Sequence, residues 1–377
     1  MSKRRFWGRF VLPVPLLAVV LTVMVCFWGI TSVAQAAPKA PSPARGLHTP
    51  AATFSPPKEG AKVTLGETSI DGPAITATYA PATALAWAGT DAAHHLNLLT
   101  STDGLHYSHK LVLPESSSWR PALAFIDSGR GAPYGTIVLA WTGMDPVHTL
   151  NLEFISTPDF VVREKITYWG ETSFTAPAVA TINGDVNSDV YLAWAGNDSA
   201  HSLNVIHHTT AAPETNKKVT LWGWSSISRP TISHDQSPDS NIALLLAWTG
   251  VNNHLYFAQT LTTAATQWTM PSTSPLAQQS AWAPSLIAFY ATNMPTYWLA
   301  WTGSGTASTH QISVEYTQHY PSWSDANATT VLNEAAMSSP QLAFNAFGST
   351  NRQVLLAWTG MDPTHRLNVA VVYVTNS

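Results

Sequence analysis

"LAWTGMDPVHTLN" (Leu139–Asn151) returns as "LAWTGMDPTHRLN" (Leu356–Asn368), with two letters changed across more than two hundred residues. The phrase has shorter relatives throughout the chain. The Trp of each "AW" falls at Trp87, Trp141, Trp194, Trp248, Trp301 and Trp358, at spacings of 54, 53, 54, 53 and 57 residues. A proline precedes each Trp by 14 to 20 residues: Pro73, Pro121, Pro177, Pro230, Pro284 and Pro340. Periods of this size built from short β-runs point to propeller blades rather than helical solenoids.

Each unit reads as four strands. "PALAFI" or "PAVATI" is the first, "VLAW" or "YLAW" the second, "LNLEFI" or "LNVIHH" the third, and "KLVL" or "KITY" the fourth. The runs are rich in Val, Ile, Leu and aromatics and are separated by Gly, Asp, Asn and Ser. Several are apolar on both faces, as suits a sheet packed between two others. Fourth strands are expected at 110–113, 165–168, 218–221, 267–270 and 329–332, and the sixth repeat ends without one. A spare "KVTL" at 62–65 stands ahead of the first unit and is expected to complete the last blade. The predicted fold is therefore all-β: a six-bladed propeller of four-stranded blades, its ring closed by the N-terminal strand. Closure would remove the open sheet edge between first and last blades.

The 377 residues carry only 11% charged side chains and a formal net charge of -4, which leaves no basic footprint for nucleic acid. Lys3, Arg4, Arg5 and Arg9 precede an uncharged stretch from Phe10 to Val33, and Ala34-Gln35-Ala36 then offers a peptidase site before Ala37. Residues 1–36 read as an export signal, or as a membrane anchor if uncleaved, since the apolar run is long enough to span a bilayer. The expected location is secreted, or the extracellular face of the cytoplasmic membrane, with membrane contact only through that segment. Cys26, the only cysteine, lies inside it, so the mature chain would have neither thiol chemistry nor disulfide. Residues 37–58 are dense in Pro, Ala and small polar residues and read as a linker, which leaves 59–377 for the propeller.

Units of the form "KVTLGETSIDGPA" and "KITYWGETSFTAPA", followed by the "LAW" segments, resemble secreted bacterial propellers of the sialidase-like, Asp-box superfamily. "STDGLHY" is similar to the Asp-box turn, with Ser101, Asp103, Gly104 and Tyr107 in its key places; "STPDF" in the second repeat is a degenerate copy. The resemblance runs from about Lys62 to the C-terminus and implies fold more than function. Sialidases hold a substrate carboxylate with three arginines and use a Tyr–Glu nucleophile pair with an Asp acid/base. That set does not map here, and no residue is assigned a catalytic role. Arg120 and Arg229 occupy equivalent positions just before two blade prolines. They are either exposed loop ends or, near the inner rim, a pair of guanidiniums able to bind a carboxylate. There is no G-x-S-x-G elbow for a serine nucleophile. Asp185, Asn187 and Asp189 have the D-x-N-x-D spacing of calcium loops, but Val190 replaces the usual glycine, so a plain turn is the expected reading and bound calcium the alternative. No cofactor or metal is expected.

The pattern W-[TA]-G-x-D-x-x-H-x-L-N is complete in four repeats. Its polar groups are Asp91, His94 and Asn97; Asp145, His148 and Asn151; Asp198, His201 and Asn204; and Asp362, His365 and Asn368. The fourth repeat shortens it to "WTGVNNHLYF" and the fifth stretches it to "WTGSGTASTHQIS". In a four-stranded blade the second-to-third hairpin and the link to the next blade emerge on one face of the disc. The resemblance implies that this face binds ligand. The repeated trio either satisfies a repeated turn or presents equivalent polar sites to a sugar, with multivalent gain. The repeated Trp is expected in the core between blades, whereas Trp119, Trp169, Trp222, Trp224 and Trp282 are candidates for sugar stacking. The function expected is that of an exported, non-catalytic propeller binding a glycan or other cell-surface polymer on the hairpin face. A sialidase-like glycoside hydrolase and a purely structural surface protein are the alternatives.

Overall fold

The computed structural model describes residues 55–375, apart from 79–81, 130–133, 183–187, 210–216, 236–241, 272, 292–293, 304–309, 319, 321–322, 324–328 and 346–352. The expected export segment and most of the linker lie outside the described residues. Six antiparallel sheets make the six blades of a propeller. Blade I contains Ala74–Thr78, Ala82–Ala88, His95–Ser101 and Tyr107–Ser116, and blade II contains Ala122–Asp127, Gly135–Thr142, Thr149–Thr157 and Val162–Thr172. Blade III is built from Ala178–Ile182, Asp189–Ala195, Ser202–Thr209 and Lys217–Ser225, and blade IV from Thr231–His234, Leu244–Thr249 and Leu255–Thr260. Blade V contains Ser285–Ala291, Met294–Thr302, Gln311–Thr317 and Thr329–Ala335. Blade VI takes Gln341–Phe344, Gln353–Thr359 and Arg366–Tyr373 from the C-terminus and Lys58–Thr68 from the N-terminus.

That last pairing is the predicted closure: Lys62 lies opposite Ala370, Val63 opposite Val369 and Thr64 opposite Asn368. The joined chain reaches back into the expected linker, since the Ser55 N–H donates to the Thr375 carbonyl at 2.9 Å. One expected strand is corrected. In blade IV the stretch 267–270 does not form a fourth strand; only Thr269 pairs, exchanging two 2.9 Å hydrogen bonds with Gln259. The rest of the outer edge is capped irregularly: the Phe257 N–H donates to the Ser274 hydroxyl, the Leu276 N–H to the Leu255 carbonyl at 2.8 Å, and the Leu255 N–H to the Gln278 carbonyl at 3.3 Å. Pro271 and Pro275 interrupt this segment, and proline cannot donate to a ladder.

The core is six layers, one between each pair of neighbouring blades. Every repeated Trp packs onto the preceding blade: Trp141 with Leu98 and Leu113 of blade I, Trp194 with Leu150 and Phe154 of blade II, and Trp87 with Leu355 and Val369 of blade VI. A buried Trp removes about 200 Å² from water, an upper bound of about 5 kcal/mol each. The first strands surround a central channel of about 720 Å³. Ala74, Ala122, Ala124, Ala178, Ala180 and Ala288 in these strands are small enough for six chains to converge there.

The links between blades are tied to the hairpins. The Ser117, Ser173, Ser226 and Ser69 N–H groups donate to the carbonyls of His94, His148, His201 and His365. The Ser117 hydroxyl then donates to the Thr142 carbonyl of the next blade at 2.8 Å, and Ser173 and Ser226 make the equivalent bonds to Ala195 and Thr249. Hairpins and links therefore share one face, as the topology requires.

Candidate functional site

The four intact hairpins are built alike. The Asp accepts from the N–H groups two and four residues on: Asp145 from Val147 at 3.2 Å and Thr149 at 3.0 Å, and Asp198 from Ala200 at 2.9 Å and Ser202 at 3.2 Å. Asp91 caps Ala93 and His95 in the same way, and Asp362 caps Thr364 and Arg366. The preceding glycine is required by this closeness, since a Cβ on Gly143 would stand 2.6 Å from the Asp145 carboxylate. For Asp145 burial acts to raise the pKa, but the hydrogen bonds of Thr149 and Val147 outweigh it and the net shift is downward. The Thr364 hydroxyl leads the groups that hold Asp362 down at about 2.

Each His closes the turn in the left-handed region, with φ between 49° and 58°, which few non-glycine residues occupy. His94 and His201 place Nδ1 on the carbonyl of the turn's glycine at 3.1 and 3.3 Å, while Nδ1 of His148 and His365 is buried without a partner. His148 lies edge-on to Trp119, with ring centroids 4.9 Å apart, and His201 lies against Phe174 at 3.9 Å. The Asn side chains donate to the carbonyl two residues back. In blades II, III and VI they also accept from an outer-strand hydroxyl: Thr167 on Asn151 at 2.8 Å, Thr220 on Asn204 at 2.7 Å and Thr64 on Asn368 at 2.7 Å. In blade I Asn97 donates to His95 at 2.7 Å, and Val112 stands opposite it. The side-chain hydrogen bonds of the trio stay within the turn and its own blade.

The Asp-box turn is also self-contained. Asp103 accepts from the Leu105 and His106 N–H groups at 2.9 and 2.7 Å, and Ser101 takes the Gly104 N–H at 2.9 Å. Tyr107 packs beneath in the layer between blades VI and I.

Arg120 and Arg229 are not exposed loop ends. They are 1% and 4% exposed and brace the hairpin end of the channel. Arg120 donates to the Ser339 carbonyl at 2.6 Å and to Gln341 Oε1 at 2.9 Å, and Arg229 donates to that same Oε1. Gln341 passes the connection to the Ser285 hydroxyl at 2.9 Å, so side chains from blades II, IV, V and VI are joined. Burial pulls both guanidinium pKa values down, Arg120 to about 10, and the proximity of Arg120 depresses Arg229 further. Gln341 and Ser285 escaped notice in the sequence because neither belongs to a repeated pattern.

The stacking candidates separate sharply. Trp119 and Trp282 are half-buried, and Trp224 is stacked on Trp248 with centroids 5.4 Å apart. Trp169 and Trp222 stand 85% and 82% exposed. Both lie in outer-strand bulges at the hairpin end. In blade II the register jumps from Leu150↔Tyr168 to Thr149↔Thr172, and in blade III from Leu203↔Leu221 to Ser202↔Ser225. Gly170 and Gly223 follow at φ 94° and 83°, a conformation suited to glycine. "YWGETS" and "LWGWSS" are one residue longer than "LGETS" in blade VI and "LPESS" in blade I, and the extra residue makes room for the Trp.

A second repeated feature joins the blades at their outer strands. Lys110 pairs with Glu67, Lys165 with Glu115, Lys218 with Glu171 and Lys62 with Glu334, each carboxylate coming from the preceding blade. The same ammonium groups lie over Trp87, Trp141, Trp194 and Trp358 at 5.2–5.5 Å from the ring centroids. The repeated Lys was legible in "KLVL", "KITY" and "KVTL", but its partner lies 43 residues or more away in the chain.

Of the titratable side chains lining the channel, Arg229 is at the hairpin end and Asp127 and His234 are toward the other. No Tyr or Glu lines it among the described residues. Asp189 pairs with His207 at 3.0 Å, whereas Asp185 and Asn187 lie outside the described residues. Among the described residues no group of three His, Cys, Asp or Glu is placed to hold a metal.

No protein-family model and no curated protein matches the chain. Solved structures do match it. A protein of unknown function from Dyadobacter fermentans superposes with a TM-score of 0.60 at 11% identity, over 85% of this chain and 99% of the other. A triple-arginine mutant of AofleA from Arthrobotrys oligospora gives 0.59 at 12% identity, over 85% and 91%. A mutant of Trypanosoma rangeli sialidase displaying trans-sialidase activity gives 0.51 at 10% identity, over 86% of this chain and 57% of the sialidase. The fold is that of the sialidase-like β-propellers.

Proposed function

We propose that this chain is an exported, non-catalytic propeller that binds a glycan on the hairpin face. Export rests on the N-terminal sequence alone. The observation that carries the binding reading is the pair Trp169 and Trp222, the two most exposed large apolar side chains described, at matching positions on neighbouring blades. A large apolar ring left in water gains from a partner with an apolar face and polar edges, and a pyranose has both. The hairpin polar groups lie on the same face as this platform, and Asp91 and His95 keep 45% and 40% of their side-chain surface accessible. The non-catalytic part is supported by Arg120 and Arg229, which are both bonded to Gln341, Arg120 also donating to the Ser339 carbonyl.

The test is a glycan array probed with the mature wild-type chain and with Trp169→Ala/Trp222→Ala. Wild-type binding that the double variant loses, with an unchanged melting temperature, is the expected result. A wild type that binds nothing on the array, or a variant that binds as well as wild type, would remove the basis for the proposal. Hydrolysis of a fluorogenic sialoside would favour the glycosidase reading.

A further inference from the structure

Resting on that reading, we infer that the ligand is an extended, uncharged polysaccharide, gripped along its length across blades II and III rather than at a chain end. Three observations lead there. First, the platforms are duplicated: Trp169 and Trp222 occupy the same place in successive repeats, each beside a left-handed glycine. A repeated protein surface matches a repeating ligand, because each further sugar ring can meet an equivalent contact. Second, both rings stand on the open surface, not in a pocket. At the channel mouth, the concavity where a chain end would enter, Arg120 and Arg229 are both bonded to Gln341. End-recognition needs a closed wall around the terminal sugar, and neither ring supplies one.

Third, the charge beside the rings is already neutralised. Glu171, two residues beyond Trp169, pairs with Lys218, four residues before Trp222. The strands that carry the two platforms are thus joined by an ion pair, which fixes their relation and leaves polar groups without net charge. Lys165, the one lysine on the strand of Trp169, is held by Glu115. Of the cations described on these two strands, Arg163, Lys165 and Lys218 are each in an ion pair, and the exposed Lys217 begins the strand of Trp222 opposite His207, five residues before the ring and at the end away from the hairpin. An acidic polymer or an anionic membrane surface therefore finds no unpaired cation beside the rings among the described residues. A neutral polymer of sugar rings fits both the aromatic faces and the balanced charge.

The experiment uses affinity electrophoresis of the mature protein in gels containing hydroxyethylcellulose, glucomannan, galactomannan or xylan, with alginate and polygalacturonate as acidic counterparts. Calorimetry then follows the backbone of any retarding polymer as an oligosaccharide ladder from one to eight sugars. The expected result is retardation by at least one neutral polymer and by neither acidic one. Affinity should climb about tenfold or more between the disaccharide and the longest oligomer. Trp169→Ala and Trp222→Ala should each lose about tenfold on long oligomers, and the double variant should lose retardation altogether. A monosaccharide that binds as tightly as the octamer would overturn the inference while leaving glycan binding standing. So would preference for the acidic polymers, or complete loss from one Trp variant with none from the other. Tryptophan-dependent sedimentation with phosphatidylcholine vesicles, without retardation by any polysaccharide, would overturn both the inference and the glycan reading beneath it.

Discussion

Blades VI, I, II and III form one unbroken arc of the ring, and blades IV and V the other. In the first arc each core Trp lies under a lysine that also grips a glutamate of the preceding blade. In blade IV the outer strand is reduced to one bridge, and four residues have changed together. Among the described residues no lysine covers Trp248; Tyr256 takes the asparagine position opposite it, Trp224 replaces the glutamate, and Asn253 takes the left-handed place of the His at φ 63°. Trp224, Trp248 and Tyr256 now stack with centroids 5.4 and 5.5 Å apart. In blade V Ser313 and Thr329 stand where the asparagine and lysine would be. The phrase is therefore a set of mutually dependent contacts. In blades II, III and VI the asparagine takes a threonine hydroxyl from the outer strand; in all four blades of the arc the lysine stands on that strand and the glutamate pairs with the lysine. When the strand goes, an aromatic stack covers the Trp instead.

The largest expected effect comes from removing what completes the first arc. A mature chain lacking Glu59–Gly66 should lose several kcal/mol in chemical denaturation, because Val63 and Leu65 leave the layer between blades VI and I. Equal denaturation midpoints with and without these residues would mean that closure contributes nothing. Next come the two kinds of cover. Trp224→Ala should cost about 2 kcal/mol, since it strips a stacked ring from Trp248. Lys165→Ala should cost about 1 kcal/mol or less, as a half-exposed ion pair and cation–π contact. The reverse ranking would break the comparison.

The fold was legible because its signature is periodic. Six Trp at nearly constant spacing, and a spare "KVTL" matching one missing strand, suffice for blade number and closure. The outer strand of blade IV was misjudged because "QWTM" has strand residues, while the prolines that follow it, Pro271 and Pro275, act through the backbone. At the candidate site, sequence named the tryptophans but could not rank their exposure. Trp224 and Trp222 are two residues apart in one bulge, yet one stacks on the core and the other points to water. Arg120 and Arg229 were recognisable as equivalent, but their shared partner Gln341 comes from another blade and bears no motif.

Within the first arc, blade II carries an unusual group. Glu153 is 2% exposed in the third strand, and one of its carboxylate oxygens has no partner. Burial raises its pKa to about 7, the neighbouring Glu115 adds to the rise, and Lys165 opposes it. The folded state then binds more protons than the unfolded chain between pH 4.5 and about 7, so stability falls as pH rises through that window. Glu153→Gln should stabilise by about 1–2 kcal/mol at pH 8 and leave stability at pH 4 nearly unchanged. An equal effect at both values would show that the carboxyl is ionised throughout. Smaller still is the acid limb of the hairpins. The folded Asp362, at about 2, lies below its ordinary 3.8, so its contribution is present above pH 4 and lost as pH falls toward 2. Asp362→Asn should flatten that limb, visible as a smaller drop in melting temperature between pH 4 and pH 2.

The central claim is a division of labour: the repeated Asp and His build the hairpins, and the two inserted tryptophans meet the ligand. It is tested most directly by measuring melting temperature and glycan-array binding together for His148→Ala/His201→Ala and Trp169→Ala/Trp222→Ala. The His variant should lose about 1–2 kcal/mol per site and keep its binding. The Trp variant should melt with the wild type and bind nothing. A His variant that melts normally and fails to bind, beside a Trp variant that binds as wild type, would contradict the account.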